Sequence, residues 1–329
     1  MPDVDPAIAE CYLKRYWDAF GHDFLKGQRI AIYEHSSVSR DVLNVLFSGM
    51  GAEIISLGRT DQFVPIDTEA VRPEDILQAR EWAKSYDFDM LVSTDGDGDR
   101  PLISDEKGNW LRGDMVGILC AQFLQANIVV TPVSSNSALE KSALFSSTIR
   151  TRIGSPYVID AMQTAMQASE ADSVVVGYEA NGGFLLASDI CHDQFVLQSL
   201  PTRDAVLPIL SLLALAKQQK KPVSELQEYL PHRYTASDRI QNIAQEHSKT
   251  IFASLLTNLD STAELLAPDA GLIIKLDQTD GFRFYFTSED IVHLRASGNA
   301  PELRCYTESD TQERAELLCS RALSRLSLF

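Results

Sequence analysis

Asp95, Asp97 and Asp99 stand at alternate positions in Ser93-Thr94-Asp95-Gly96-Asp97-Gly98-Asp99-Arg100, with one glycine between each pair and an arginine after the last. Three carboxylates this close repel one another, and packing gains nothing from them, so a bound cation is the natural explanation. Oxygen-only ligands suit a hard ion, Mg²⁺ or Ca²⁺, rather than zinc or copper. The glycines let the backbone curl until the three side chains converge. Arg100 suits a site where the cation meets an anionic substrate. A solvated acidic turn is the bland reading, but three Asp on one loop after an apolar strand is unusual for it. A calcium-binding helix–loop–helix is the sharper rival, since the three Asp match its first ligands and Glu106 its twelfth position. Its sixth position requires glycine and here is Arg100, and a strand precedes the loop rather than a helix, so it is excluded.

Two other stretches carry chemistry. Gly177-Tyr178-Glu179-Ala180-Asn181-Gly182-Gly183 follows an apolar strand. A carboxylate and an amide flanked by glycines can hydrogen-bond two adjacent hydroxyls, as sugar recognition requires. Taken alone, the stretch reads equally as a glycine-rich turn. In Arg295-Ala296-Ser297-Gly298-Asn299-Ala300-Pro301-Glu302-Leu303-Arg304 two arginines bracket a turn whose backbone N–H groups can form an anion nest. Arginine is the residue of choice for bidentate phosphate contact. Without the Asp loop, an ordinary surface turn with solvated arginines would be the better reading. The six histidines show no ligand spacing, and no serine sits in a nucleophile-elbow context.

These loops need elements to hold them. An amphipathic helix leads in to Lys26. The strand Arg29–Tyr33 follows, then a helix from Arg40 to Met50 with Ser37 or Ser39 as its cap, a strand Glu53–Leu57, a helix from Pro73 to Tyr86 and a strand running into the Asp loop. This alternation predicts a parallel sheet with helices on its faces, where ligands bind beyond the carboxyl ends of the strands. A hairpin turns at 106–109. A second α/β unit starts at Gly113, and its strand Ser173–Val176 delivers Glu179. Residues 231–238 read as a boundary. Beyond them lie a helix over 246–256, strands over 271–276, 282–286, 291–294 and 303–307, and a closing helix over 311–324, an α+β pattern. The fold class expected is thus two consecutive α/β domains with mainly parallel sheets, over 1–112 and 113–232, then a smaller α+β domain over 233–329.

A net charge of −17 argues against a nucleic-acid partner, which demands a basic face. It also means that an anionic substrate must be held by locally clustered arginines. Five scattered cysteines, with no C-x-x-C pair, point to reduced thiols in a cytoplasmic protein. The N-terminus has no signal-peptide pattern, and the longest apolar run, Ala205 to Ala216, is too short to span a bilayer.

Triple-Asp loop, Glu-x-Asn-Gly loop and Arg-x-Ser-Gly loop stand in a fixed order along the whole chain. In this the sequence resembles the α-D-phosphohexomutase family, within it the bacterial phosphomannomutase/phosphoglucomutase enzymes. The resemblance implies reversible transfer of phosphate between O1 and O6 of a hexose through a bisphosphorylated sugar. It makes Asp95, Asp97 and Asp99 the Mg²⁺ ligands and Arg100 a catalytic charge beside them. Glu179 and Asn181 would bind sugar hydroxyls, Asn181 standing where a serine is usual. Arg295, Ser297, Gly298, Asn299 and Arg304 would hold the non-reacting phosphate, with Asn299 and Ala300 replacing Thr-Glu. Arg152-Ile153-Gly154-Ser155 is similar to a further substrate loop through Gly154. The partners implied are mannose or glucose 1- and 6-phosphates and the hexose bisphosphate, for a monomer or weak dimer. The family's first domain carries a phosphoryl-bearing serine in a Thr-x-Ser-His-Asn-Pro-like loop, and no such loop occurs in these 329 residues. The expectation is therefore a chain without the phosphoserine domain that binds but does not turn over. A non-catalytic sugar-phosphate-binding protein and a magnesium-dependent phosphatase are the alternatives. A phosphatase needs its own nucleophile, whereas the three Asp are better used as metal ligands.

Overall fold

Helices and strands alternate from Pro6 to Thr94. The computed structural model describes residues 6–192, 195–297 and 300–329. It opens with α1 (Pro6–Phe20), β1 (Arg29–Tyr33), α2 (Arg40–Gly49), β2 (Glu53–Leu57), α3 (Pro73–Ser85), β3 (Met90–Thr94) and β4 (Pro101–Ser104). Next come α4 (Gly113–Phe123), β5 (Ile128–Pro132), α5 (Ala138–Lys141), β6 (Ser147–Thr151), α6 (Ser155–Ala168) and β7 (Val175–Tyr178). Then follow β8 (Phe184–Leu186), β9 (Ile190–His192), β10 (Phe195–Leu197), β11 (Leu200–Asp204) and α7 (Val206–Gln219). The last part is β12 (Tyr234–Gln241), α8 (Gln245–Thr257), α9 (Leu259–Leu266), β13 (Ile273–Asp277), β14 (Phe282–Phe286), β15 (Ile291–Ala296), β16 (Glu302–Ser309) and α10 (Gln312–Leu326).

The chain forms two compact units, one of residues 1–132, 142–150 and 154–229, the other of 133–141, 151–153 and 230–329. The first unit holds two main sheets. One runs β2-β1-β3-β4, with β1 parallel to both β2 and β3 and β4 antiparallel at the edge. Its strand β3 is buried at every position, as the run Met90-Leu91-Val92 requires of a strand covered on both faces. The other runs β11-β8-β7-β5-β6, with β5 parallel to β7 and β8 antiparallel to both β7 and β11. No helix among the described residues is long and apolar enough to cross a membrane. All five cysteines are free, Cys120, Cys305 and Cys319 of them buried.

In the second unit the antiparallel sheet β12-β16-β15-β14-β13 turns one face to a core containing Leu255, Leu266, Phe284, Phe286, Leu294, Leu303, Leu318 and Leu326. The expected boundary at 231–238 is largely strand: β12 begins at Tyr234 and pairs with β16 over eight residues. Its polar sequence, Tyr-Thr-Ala-Ser-Asp-Arg-Ile-Gln, hides the alternation, since only Ala236 and Ile240 pack on the core. The helix cap also differs from expectation. Ser39 precedes α2 without a capping bond, because the hydroxyls of Ser37 and Ser39 point to Thr94 instead.

The other sheet face carries buried charge. Glu308, four per cent exposed at its side chain, accepts from Arg233 Nε at 2.7 Å and from Arg283 Nη2 at 3.2 Å. It also accepts from the Ser137 hydroxyl and, at 3.1 Å, the Ser137 backbone N–H. Beside Arg283 in register lies His293, whose Nε2–H donates to the Asp280 carbonyl at 2.6 Å.

Burial, with the nearby guanidinium groups of Arg283 and Arg295, holds the His293 pKa down at about 4. The unfolded chain takes up this proton near pH 6.5, so the stability from a neutral His293 is full above 6.5 and is lost as pH falls towards 4. At about 1.36 kcal/mol per pH unit the gap amounts to about 3 kcal/mol. His293→Gln is expected to flatten this acid limb in urea unfolding measured from pH 7 to 4. Equal slopes in the two proteins would assign the acid loss to other groups.

Candidate functional site

The Asp loop leaves β3 at its carboxyl end, the side where an open parallel sheet presents its loops. The loop closes on itself: the Asp95 N–H donates to the Arg100 carbonyl at 3.1 Å. Gly98 and Arg100 donate their backbone N–H groups to Asp95 Oδ1 at 3.1 and 3.3 Å. Gly98 makes the turn with φ +83, which an L side chain rarely adopts. Asp95 is buried, Asp99 half-buried and Asp97 exposed, and one oxygen from each lies within 4.8 Å of the others. Burial first, then the charges of Asp97 and Asp99, push the Asp95 pKa up to about 6. Asp99 Oδ1 is buried without a hydrogen-bond partner. Crowded carboxylates, one strained towards its neutral form and one with an unsatisfied buried oxygen, fit a hard divalent cation.

Behind the loop three hydroxyls form a triangle. Ser37 and Ser39 lie 2.6 and 2.8 Å from Thr94 Oγ1 and 2.9 Å from each other. His35 donates Nε2–H to the Thr94 carbonyl at 2.9 Å, and burial lowers its pKa. Ser93 donates to the Tyr33 carbonyl at 2.7 Å, as expected for a hydroxyl committed to structure. The polar turn after β1 thus fixes the strand from which the carboxylates hang.

Glu179 sits where β7 ends. Its backbone N–H donates to the Gly183 carbonyl and its carbonyl accepts from Gly182, both at 2.9 Å, which makes a tight hairpin loop. Asn181 Oδ1 accepts the Gly183 N–H at 3.0 Å, and its NH₂ is left to offer a ligand. Gly113, heading α4, packs its backbone on this loop. A Cβ there would stand 2.2 Å from Gly182 N and 2.6 Å from the Ala180 carbonyl. Burial raises the Glu179 pKa, and the Arg203 and Arg100 charges oppose it.

Arg203 joins the two loops. Its Nη2 lies 2.6 Å from Asp99 Oδ2, and its Nη1 is 3.9 Å from Glu179 Oε2. Arg100 pairs more loosely with Asp95 at 3.7 Å and with Asp99 at 3.8 Å. Asp204, next to Arg203, is anchored by the hydroxyls of Tyr12 and Tyr16 and accepts the Val206 N–H at 3.0 Å, which fixes the end of β11. Sequence reasoning missed Arg203, because β11 is too polar to read as a strand and lies 104 residues beyond Asp99. Gly154 heads α6 with φ +131, a conformation that favours glycine.

In the second unit, Arg295 Nε is 3.1 Å from Asp280 Oδ2, and Arg304 reaches Glu302 Oε2 at 3.3 Å through both Nε and Nη2. Arg295 and Arg304 are opposite one another in the β15–β16 register. Ser297 is buried, with its N–H on the Glu302 carbonyl at 2.8 Å. Gly298 and Asn299 lie outside the described residues.

Models of the phosphoglucomutase/phosphomannomutase α/β/α domain II, α/β/α domain III and C-terminal domain match residues 12–108, 112–234 and 253–324. A phosphomannomutase of Salmonella muenchen is 48% identical over 323 residues, which cover 98% of this chain and 66% of that protein. A phosphomannomutase of Sinorhizobium fredii is 40% identical over 325 residues, covering 99% and 68%. The chain therefore spans about two thirds of the length of these relatives. Among solved structures, a phosphoglucomutase/phosphomannomutase family protein of Burkholderia thailandensis superposes with a TM-score of 0.73 at 14% identity, covering 98% of this chain and 64% of that one. An Aspergillus fumigatus N-acetylphosphoglucosamine mutase, solved with GlcNAc-6P and magnesium, gives 0.65 at 17% identity, with 97% and 70% covered.

Proposed function

The chain belongs to the phosphoglucomutase/phosphomannomutase family, and from that premise we propose that it serves the interconversion of hexose 1-phosphate and hexose 6-phosphate. The observation that carries the reading is the shared arginine: Asp99 and Glu179 both face Arg203, so the carboxylates of the metal loop and of the hydroxyl-binding loop belong to one site. Asp95, Asp97 and Asp99 would hold Mg²⁺, which when bound neutralises the oxygens of a transferring phosphoryl group. Arg100 adds a second positive charge beside that group. Glu179 accepts from a ring hydroxyl and the Asn181 NH₂ donates to a neighbouring one, so the two fix the sugar by its edge. Arg295, Arg304 and Ser297, with Gly298 and Asn299, bind the phosphate that does not react. Gly154 belongs to a further substrate loop. The family's chemistry also uses a phosphoryl-carrying serine, and the residues named here supply binding and charge. Three domains, divided near residues 112 and 232, are the matching organisation, and three separate larger sheets support it. We place the protein in the cytoplasm, with mannose or glucose phosphates as partners.

Calorimetric titration tests this. Mannose 6-phosphate is expected to bind far more tightly than mannose. Arg295→Ala is expected to cost about 1.5–3 kcal/mol of mannose 6-phosphate affinity, the worth of a charge-assisted contact. Equal affinity of the unmodified protein for mannose and its 6-phosphate would remove the phosphate-loop assignment.

A further inference from the structure

Three arginines lie in one row across three adjacent strands. In the β12–β16 pairing Arg239 is directly opposite Arg304, and in the β15–β16 pairing Arg295 is directly opposite Arg304. Directly opposed residues of an antiparallel sheet share a face. It is the face away from the core, because the neighbours Leu294, Leu303 and Cys305 all point into the core. Like charges directly opposite one another destabilise a sheet. Two carboxylates relieve this only in part. Glu302 is shared between Arg304 at 3.3 Å and Arg239 at 3.5 Å, while Asp280 serves Arg295 at 3.1 Å. The row therefore keeps one positive charge more than its partners, in a chain whose net charge is −17. An excess of this kind, concentrated against the field of the whole protein, is what capture of an anion requires.

We propose that Arg239 is a third arginine of the phosphate site, and that the row Arg239–Arg304–Arg295 binds a phosphoryl group with Arg304 at its centre. The inference rests on the phosphate-loop reading of Arg295 and Arg304 and extends it to a strand that no loop motif includes. Neighbouring strands are about 4.8 Å apart, so long side chains from the two outer strands reach over the middle one. The planar guanidinium forks can then take different oxygens of one phosphate. Arg239 is half-exposed and makes no part of the core, so its removal leaves the fold standing.

The test uses inorganic phosphate as the probe, titrated calorimetrically into the whole chain at low ionic strength, with mannose 6-phosphate as a second ligand. Arg239→Gln is expected to weaken phosphate binding roughly tenfold, the equivalent of about 1.4 kcal/mol. Arg239→Lys, which keeps the charge and loses the fork, falls between. Arg80→Gln, an equal loss of charge on the exposed side of α3, is expected to leave binding unchanged. Phosphate affinity within twofold of the unmodified protein in Arg239→Gln overturns the proposal, as does an equal loss in Arg80→Gln or the lack of saturable phosphate binding altogether. If phosphate binds and Arg239→Gln loses it, but mannose 6-phosphate binds no better than phosphate, the arginine row stands and the hexose-phosphate reading falls.

Discussion

Magnesium titrated into the Asp97→Asn protein is expected to bind at least roughly tenfold more weakly than to the unmodified chain, with the fold intact. Substitution of a residue that merely orients a metal ligand typically costs 10–100-fold in affinity, and a ligand costs no less. Asp97 is the informative choice. It is the exposed member of the three, so its amide adds no buried polar group. Asp95 could not be replaced so cleanly, since its Oδ1 also holds the backbone N–H groups of Gly98 and Arg100. Asn keeps the shape and removes the charge, so any loss measures the charge. Unchanged affinity by calorimetry, with an unchanged thermal transition, would rule out the loop as the metal site.

Glu308→Ala is expected to destabilise the second unit by about 3–5 kcal/mol, the cost of leaving buried charge without its partner. Glu308 is the common acceptor for Arg233 and Arg283, all three at most six per cent exposed at their side chains. It also takes both donors of Ser137, and so pins the stretch 133–141 to the sheet of its own unit. Without it, two buried guanidinium groups lose their shared carboxylate. Glu308→Gln keeps the volume and is expected to lose a large part of the same stability. Amide exchange over 302–309, followed with denaturant, reads the effect locally and does not depend on how the first unit unfolds. A loss below about 1 kcal/mol would mean that water already reaches the two arginines.

The three chemical loops were legible because each packs its groups into one short stretch. The three carboxylates lie within five residues, and their crowding at alternate positions is itself the signal. The strands that carry them were legible for a similar reason: β3 and β7 are apolar runs, and α6, ahead of β7, buries Val158, Met162 and Ala165 at helical spacing. Polar strands were not legible. β11 and β12 hold Thr-Arg-Asp and Ser-Asp-Arg, whose alternation is invisible until the partner strand is known.

Residue order alone therefore determined the crowding of three carboxylates on one loop, the order of the three motifs, the alternation of helices and strands, and the family to which they belong. Only the tertiary structure decided which charges meet. Arg203 reaches Asp99 and Glu179 because the end of β11 is anchored through Asp204 to tyrosines of α1. Arg239 joins Arg304 through an eight-residue register between β12 and β16. Glu308 gathers donors from Ser137, Arg233 and Arg283. The physical reason is common to all three. Local spacing fixes which way a side chain points from its own element, but its partner is set by strand register and packing, which depend on the whole buried surface at once.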